Sequence, residues 1–187
     1  MENVNLLKTK DYNIFSVLQI QSKEVLICRM IADLLNPRGQ HGAGAEYLKI
    51  FLRDCLGMEK MDTKLADQAI VTAEYAIDDE RRIDIVIEMG SYFLPIEVKI
   101  YAADQKSQCF DYYQYAKRRD AQAKVYYLTL DGHRPGKDST SSGSQSVPEE
   151  DIVCLSFREH ILNWLKACKS CENTGMVPIL EQFIQNI

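Results

Sequence analysis

No stretch of this chain approaches the ~18 consecutive apolar residues that a membrane-spanning helix requires, so a transmembrane helix is excluded. Residues 1–10 have neither an apolar core nor a small-residue cleavage site, and no signal peptide is expected. A basic excess is missing too: 22 Lys and Arg stand against 27 Asp and Glu, for a net charge of −5. That balance excludes a protein that coats nucleic acid non-specifically, but not an enzyme that touches it through one local patch. There is no internal repeat, no phosphate-binding glycine loop of known pattern, and no Ser/His or Cys/His catalytic arrangement. Cys168 and Cys171 have no second pair at ligand spacing, so zinc is not expected there. Without a secretion signal, the 6 cysteines read as reduced thiols of a cytoplasmic protein. Cys28, Cys55 and Cys109 lie among apolar helical residues and read as core. What remains is a globular composition, 46% hydrophobic and 26% charged, over 187 residues. One domain, 1–187, with a sizeable core is expected.

Apolar residues recur at three- and four-residue steps over 13–35, which predicts two helices with Ser22 capping the second. The Asn36-Pro37-Arg38-Gly39 run ends that second helix. Residues 45–56 form another amphipathic helix closed by Gly57, and residues 70–77 a β-branched strand. Asp104 is placed to cap a helix running to about Arg119. Strands follow at 124–130 and 152–156, then a helix over 158–171, and Pro178 opens a last helix. Residues 131–151 hold Gly, Pro, Ser and Thr with hardly an apolar residue, and read as a mobile loop. The order implies an α/β fold, a mixed sheet flanked by helices.

The informative segment is a hairpin. Residues 82–88 and 92–100 alternate on either side of Gly90-Ser91, and a two-residue turn with glycine first is the favoured II′ type. That turn fixes a register in which Ile83, Ile85, Ile87, Met89, Tyr92, Leu94, Ile96, Val98 and Ile100 share one apolar face. The other face sets Asp84 opposite Glu97 and Arg82 opposite Lys99. Opposed residues have Cβ atoms about 5 Å apart, and like charges so placed repel. A divalent cation between the carboxylates would relieve them; hard oxygen ligands suit Mg²⁺ or Mn²⁺. Lys99 would then stand beside the reacting water or phosphate. The hairpin alone also fits a solvated face, with Asp84 paired to Lys99 and Glu97 to Arg82. The tripeptide (Asp/Glu)-x-Lys occurs three times, at residues 62, 97 and 104, and only the copy at Glu97 faces an acid across a strand pair.

With Asp84 on one strand and Glu97-Val98-Lys99 on the next, the chain resembles the PD-(D/E)XK nuclease superfamily, whose restriction-endonuclease-like core runs αβββαβ. The resemblance extends from residue 13 to about 130. Within it, Glu24 matches the acid that an upstream helix often supplies, and Gln108-Cys-Phe-Asp-Tyr112 matches a Gln-x-x-x-Tyr helix motif. The stretch from Asn13 through Gly42 is similar to a bacterial branch of the superfamily. The proline of the family pattern is absent, Ile83 standing before Asp84. The resemblance implies a metal-dependent nuclease acting on nucleic acid, DNA rather than RNA. Asp84, Glu97 and Glu24 would hold Mg²⁺ or Mn²⁺, Lys99 would assist catalysis, and Gln108, Tyr112 and Arg82 would support the site or substrate. The alternative is a nuclease-like fold that no longer cuts and serves as a binding module.

Other candidates have quieter readings. Glu24 also fits an acid favoured by a helix N-terminus, and Gln108 and Tyr112 fit helix packing. Glu74 reads as a solvated strand residue or a supporting acid, His41 as a loop brace. Lys117-Arg118-Arg119 closes a helix where cations are favoured anyway. The apolar last helix leaves surface for a partner or a homodimer.

Overall fold

The computed structural model describes residues 12–171 and 175–186; the signal-peptide expectation for residues 1–10 lies outside them. Short α1 (Ile14–Val17) is capped by Asn13, whose side chain accepts the amides of Phe15 and Ser16. Helices α2 (Glu24–Leu35), α3 (Glu46–Asp54) and α4 (Thr63–Asp67) precede the sheet. Strands β1 (Ile70–Ala76), β2 (Arg82–Met89) and β3 (Tyr92–Lys99) are antiparallel. After α5 (Gln108–Arg119), β4 (Val125–Thr129) pairs parallel to β3, and β7 (Ile152–Ser156) parallel to β4. The sheet order is β1-β2-β3-β4-β7, the expected mixed sheet of an α/β restriction-endonuclease-like fold. Helices α7 (Leu162–Cys168) and α8 (Val177–Ile184) follow. Among the described residues no helix is long and apolar enough to cross a membrane.

Two apolar cores lie on the two faces of this sheet. One joins α2, α3, α7 and α8 to Ile85, Ile87, Leu94, Ile96 and Val98 around fully buried Trp164. The other packs α5 through Cys109, Phe110, Tyr112 and Ala116 onto Val86, Phe93, Val125 and Tyr127. Burying an apolar side chain of this size contributes roughly 1.5–3 kcal/mol, so a covered sheet face outweighs any single polar contact. In α8, Leu180 and Phe183 are buried, with Phe183 against Phe15 at 5.3 Å between centroids. The stripe that suggested a partner or homodimer is largely spent inside the chain, and Ile179 remains exposed.

Several local expectations need correction. Ser22 does not cap α2: its hydroxyl donates to the Gln19 carbonyl, and Lys23 precedes the helix without a side-chain cap bond. Asp104 does not cap α5, which begins after Ser107; Asp104 instead accepts the Tyr127 hydroxyl and the Gly136 amide, both at 2.7 Å. The helix expected over 158–171 opens with a π turn, Phe157–Ile161. Residues 131–151, expected as a mobile loop, carry structure of their own: α6 (Lys137–Thr140) and a hairpin of β5 (Ser141–Ser142) and β6 (Gln145–Ser146). Its anchors are mostly polar, which is why composition hid it. The Ser107 amide donates to the Asp138 carbonyl, Ser139 accepts the Cys109 amide, and only Val147 inserts into the core. His41 is a loop brace as read, stacked on Tyr47 and holding the Ala43 amide and the Asn36 carbonyl. A Cβ at Gly39 would meet the Asp33 carbonyl oxygen at 2.3 Å, so that loop admits only glycine there.

Candidate active site

The hairpin register is the expected one. Met89 pairs with Tyr92, Val86 with Pro95 and Ile85 with Ile96, around Gly90 at φ +57°. The ladder stops at Ile85 and Ile96, one residue short of Asp84 and Glu97, so Arg82 does not pair with Lys99; its strand partner is Ala76. Beyond that point β3 continues beside β4, and its amides facing away from β4 need other acceptors. Carboxylates supply them. Asp84 Oδ2 accepts the Val98 amide at 2.8 Å, and Glu24 Oε2 accepts those of Ile100 and Tyr101 at 2.7 and 3.2 Å. Where two strands part, two acids stand in for the missing backbone carbonyls.

The apolar face of the hairpin is also not continuous. Ile85 and Ile87 lie in the core under α2, whereas Ile83 lies in the core under α5. β1 makes the same change between Ala73 and Tyr75. The switch falls at Glu74, which has φ +54°.

The charged side chains are not a solvated face. Glu97 is 1% and Lys99 8% exposed, and Lys99 Nζ meets Glu97 Oε1 at 2.7 Å. Neither alternative pair, Asp84 with Lys99 or Glu97 with Arg82, is made. Burial raises the Glu97 carboxyl well above its ordinary 4.5, the Asp84 charge adds to this, and Lys99 opposes it. Burial likewise raises Asp84 above 3.8, against the pull of the Val98 amide and Lys99. For Lys99, burial works to discharge the ammonium, but the Glu97, Asp84 and Glu24 carboxylates outweigh it and raise its pKa. The two carboxyls lie close enough for each to shift the other. Glu97 Oε2 is buried and has no donor. A proton or a cation is what such oxygens accept.

That orphaned oxygen is also the test of whether a divalent cation fits. Asp84 and Glu97 offer adjacent hard oxygens, one of them unsatisfied, and Mg²⁺ commonly takes only one or two carboxylates, with water and phosphate completing its shell. The residues fit. Among the described residues no three His, Cys, Asp or Glu side chains are already set as a metal cage; one Glu24 oxygen is committed to the end of β3.

The helix motif braces the same place. Gln108 Nε2 donates to the Tyr112 hydroxyl at 3.0 Å, and that hydroxyl donates to the Arg82 carbonyl at 2.5 Å. Both side chains are buried, so they hold the backbone two residues before Asp84 rather than face solvent. The Arg82 side chain is exposed; its backbone carries the contact. One neighbour escaped the sequence reading. Arg81 binds Asp111, Gln105 and the Lys106 carbonyl, locking the loop before α5. Cys28, one turn after Glu24, is a core thiol as expected, and burial together with the charges of Asp84, Glu24 and Glu97 pushes its pKa up. A cavity of about 430 Å³ lined by Arg134, Lys137, Ser141 and Ile152 lies under residues 131–151 and contains none of these acids.

Neither curated proteins nor solved structures gave a match to the chain. Its sequence matches the PD-(D/E)XK nuclease superfamily over residues 12–185, well past the stretch from 13 to about 130 that the motifs cover. With the mixed sheet, an acid where β2 and β3 part, and Glu97-x-Lys99 on the next strand, the chain belongs to the PD-(D/E)XK nuclease superfamily.

Proposed function

We propose that this protein is a metal-dependent nuclease that hydrolyses phosphodiester bonds, of DNA rather than RNA, with Mg²⁺ or Mn²⁺ as cofactor. Nucleases of this superfamily generally use divalent metal ions and act on nucleic acid. The observation that carries the reading is the buried Glu97–Lys99 pair beside half-buried Asp84, with an unsatisfied carboxylate oxygen on Glu97. An inactive module would have no reason to keep an acid and a lysine out of water beside a second acid, since a buried ion pair adds little stability.

Asp84 and Glu97 would hold the cation, and Glu24 would contribute its second oxygen. The cation supplies positive charge to the phosphoryl oxygens and acidifies water. Lys99, kept charged by three carboxylates, donates hydrogen bonds to the oxyanion that develops at phosphorus and orients the attacking water. Glu97 would have to be ionised to hold the cation, which would make binding depend on pH. Gln108 and Tyr112 fix the Arg82 carbonyl, and through it the approach of Asp84. Six free thiols fit a reducing, cytoplasmic setting.

Plasmid nicking and oligonucleotide cleavage with Mg²⁺, Mn²⁺ or EDTA test this directly. Divalent-dependent cleavage that Lys99→Ala removes is expected. Binding of nucleic acid without any cleavage would make the chain a binding module instead.

A further inference from the structure

We propose that Glu74 is a positioning residue of this site: its left-handed backbone opens the β1–β2 ladder opposite Asp84 and turns that carboxylate toward the Val98 amide. The cleavage arm of the argument rests on the nuclease reading; the structural arm does not.

Glu74 is one of three non-glycine residues with positive φ among the described residues, and the only one inside a strand. L-residues rarely adopt this conformation, and a strand gives no local reason for it. The pairing of β1 with β2 runs from Ile70–Glu88 to Ala73–Ile85 and resumes at Tyr75–Ile83 and Ala76–Arg82. The skipped pair is Glu74 and Asp84. At that pair both strands change faces together: Ala73 and Ile85 belong to one core, Tyr75 and Ile83 to the other. Unbroken alternation would keep Ile83 with Ile85 and fix the direction of Asp84 by the regular pleat. The reversal frees Asp84 from the ladder, and its carboxylate takes the Val98 amide just where β2 leaves β3.

The Glu74 side chain reaches α2 from outside the bend. Its Oε2 meets Arg29 Nη2 of α2 at 2.8 Å, and α2 is the helix that carries Glu24 and Cys28. That pair is largely exposed, with the side chains 41% and 58% accessible, so it stabilises little. The backbone conformation of residue 74 is therefore the element that positions Asp84, and the carboxylate is dispensable.

Substitution separates this from the two quieter readings. Glycine and asparagine tolerate a left-handed backbone, and valine does not; a solvated strand residue would show the reverse order, with valine best and glycine worst. Glu74→Gly, Glu74→Asn, Glu74→Gln and Glu74→Val should be compared by melting temperature, by Val98 amide exchange and by single-turnover cleavage with Mn²⁺. Glu74→Gly and Glu74→Asn should melt at or above the wild-type temperature and keep Val98 protection within about twofold. Glu74→Val should melt several degrees lower, lose Val98 protection at least tenfold and slow cleavage to match. Glu74→Gln should track the wild type in all three. A lower melting temperature for Glu74→Gly than for Glu74→Val overturns the proposal, as does loss of Mn²⁺-dependent cleavage in Glu74→Gln alone, which would make the carboxylate itself a site acid. If Glu74→Val fails to fold, the ranking of Gly, Asn and Gln against the wild type still decides. If the wild type cleaves nothing, the nuclease reading fails, while melting and Val98 exchange still test the positioning.

Discussion

Lys99 carries a charge into a place where Glu97 is its close partner, and Glu97 keeps a second oxygen with no donor at all. Removing the lysine therefore does more than delete a functional group. Lys99→Ala should lower cleavage by at least about a hundredfold, the scale at which a positioned proton-handling or charge-stabilising group acts. It should also destabilise the fold by about 1–3 kcal/mol at neutral pH, because a buried carboxylate is left unpaired. That loss should depend on pH. A carboxyl whose pKa is raised by folding contributes stability below its ordinary value, here 4.5, and loses it as pH rises through the raised one. The melting deficit of Lys99→Ala should thus be small near pH 5 and grow toward pH 8; a deficit that shrinks with pH would refute the assignment of the burden to Glu97. Asp84→Asn moves the other way. The amide oxygen can still accept from Val98 N–H while one of two repelling charges disappears, so the metal-free protein should melt slightly higher and respond less to Mn²⁺.

At the scale of elements, α5 and the segment before it act as a clamp on the start of β2. Tyr112→Phe removes the donor to the Arg82 carbonyl, costs about 1–2 kcal/mol, and should slow cleavage several-fold without abolishing it. An unchanged rate would show that the clamp serves stability alone. The 131–151 segment is tied down differently, through Asp104, which accepts from both the Tyr127 hydroxyl and the Gly136 amide. Asp104→Ala should release it. Trypsin would then cut after Lys137 well before the rest of the chain, and equal resistance in the variant and the wild type would mean that Val147 and the Ser107 and Cys109 bonds suffice to hold the segment.

For the whole molecule, the metal and the fold are linked. A cation held between Asp84 and Glu97 would bind only the folded state, so it should stabilise by about 2.7 kcal/mol at a hundredfold excess over Kd. For a chain of this size that is roughly 5–10 °C in melting temperature. Because the carboxylates that hold a cation must be ionised and burial raises the Glu97 pKa, Mn²⁺ affinity should rise with pH over the acid-to-neutral range. A melting curve indifferent to millimolar Mn²⁺ at pH 8, with and without a short duplex, would count against the metal site.

The hairpin was readable in the residues themselves: strict alternation and one glycine at the first turn position leave a single register, and a slip by one residue would turn apolar side chains to water. The pair of acids and the lysine beyond them follow from that register, and the Gln108–Tyr112 spacing shares a helical face by geometry alone. Tertiary structure decided the rest. Whether Glu97 and Lys99 face solvent or core depends on how α5 packs back over the sheet, and alternation cannot tell a polar face from a covered one. The anchoring of residues 131–151 rests mostly on hydrogen bonds to Asp104, Ser107 and Cys109, which leave no apolar signature. The reversal at Glu74 and Asp84 is invisible in sequence, because a left-handed glutamate contradicts its own propensity. Packing on both sheet faces, with Ile83 and Tyr75 drawn to one core and Ile85 and Ala73 to the other, imposes it.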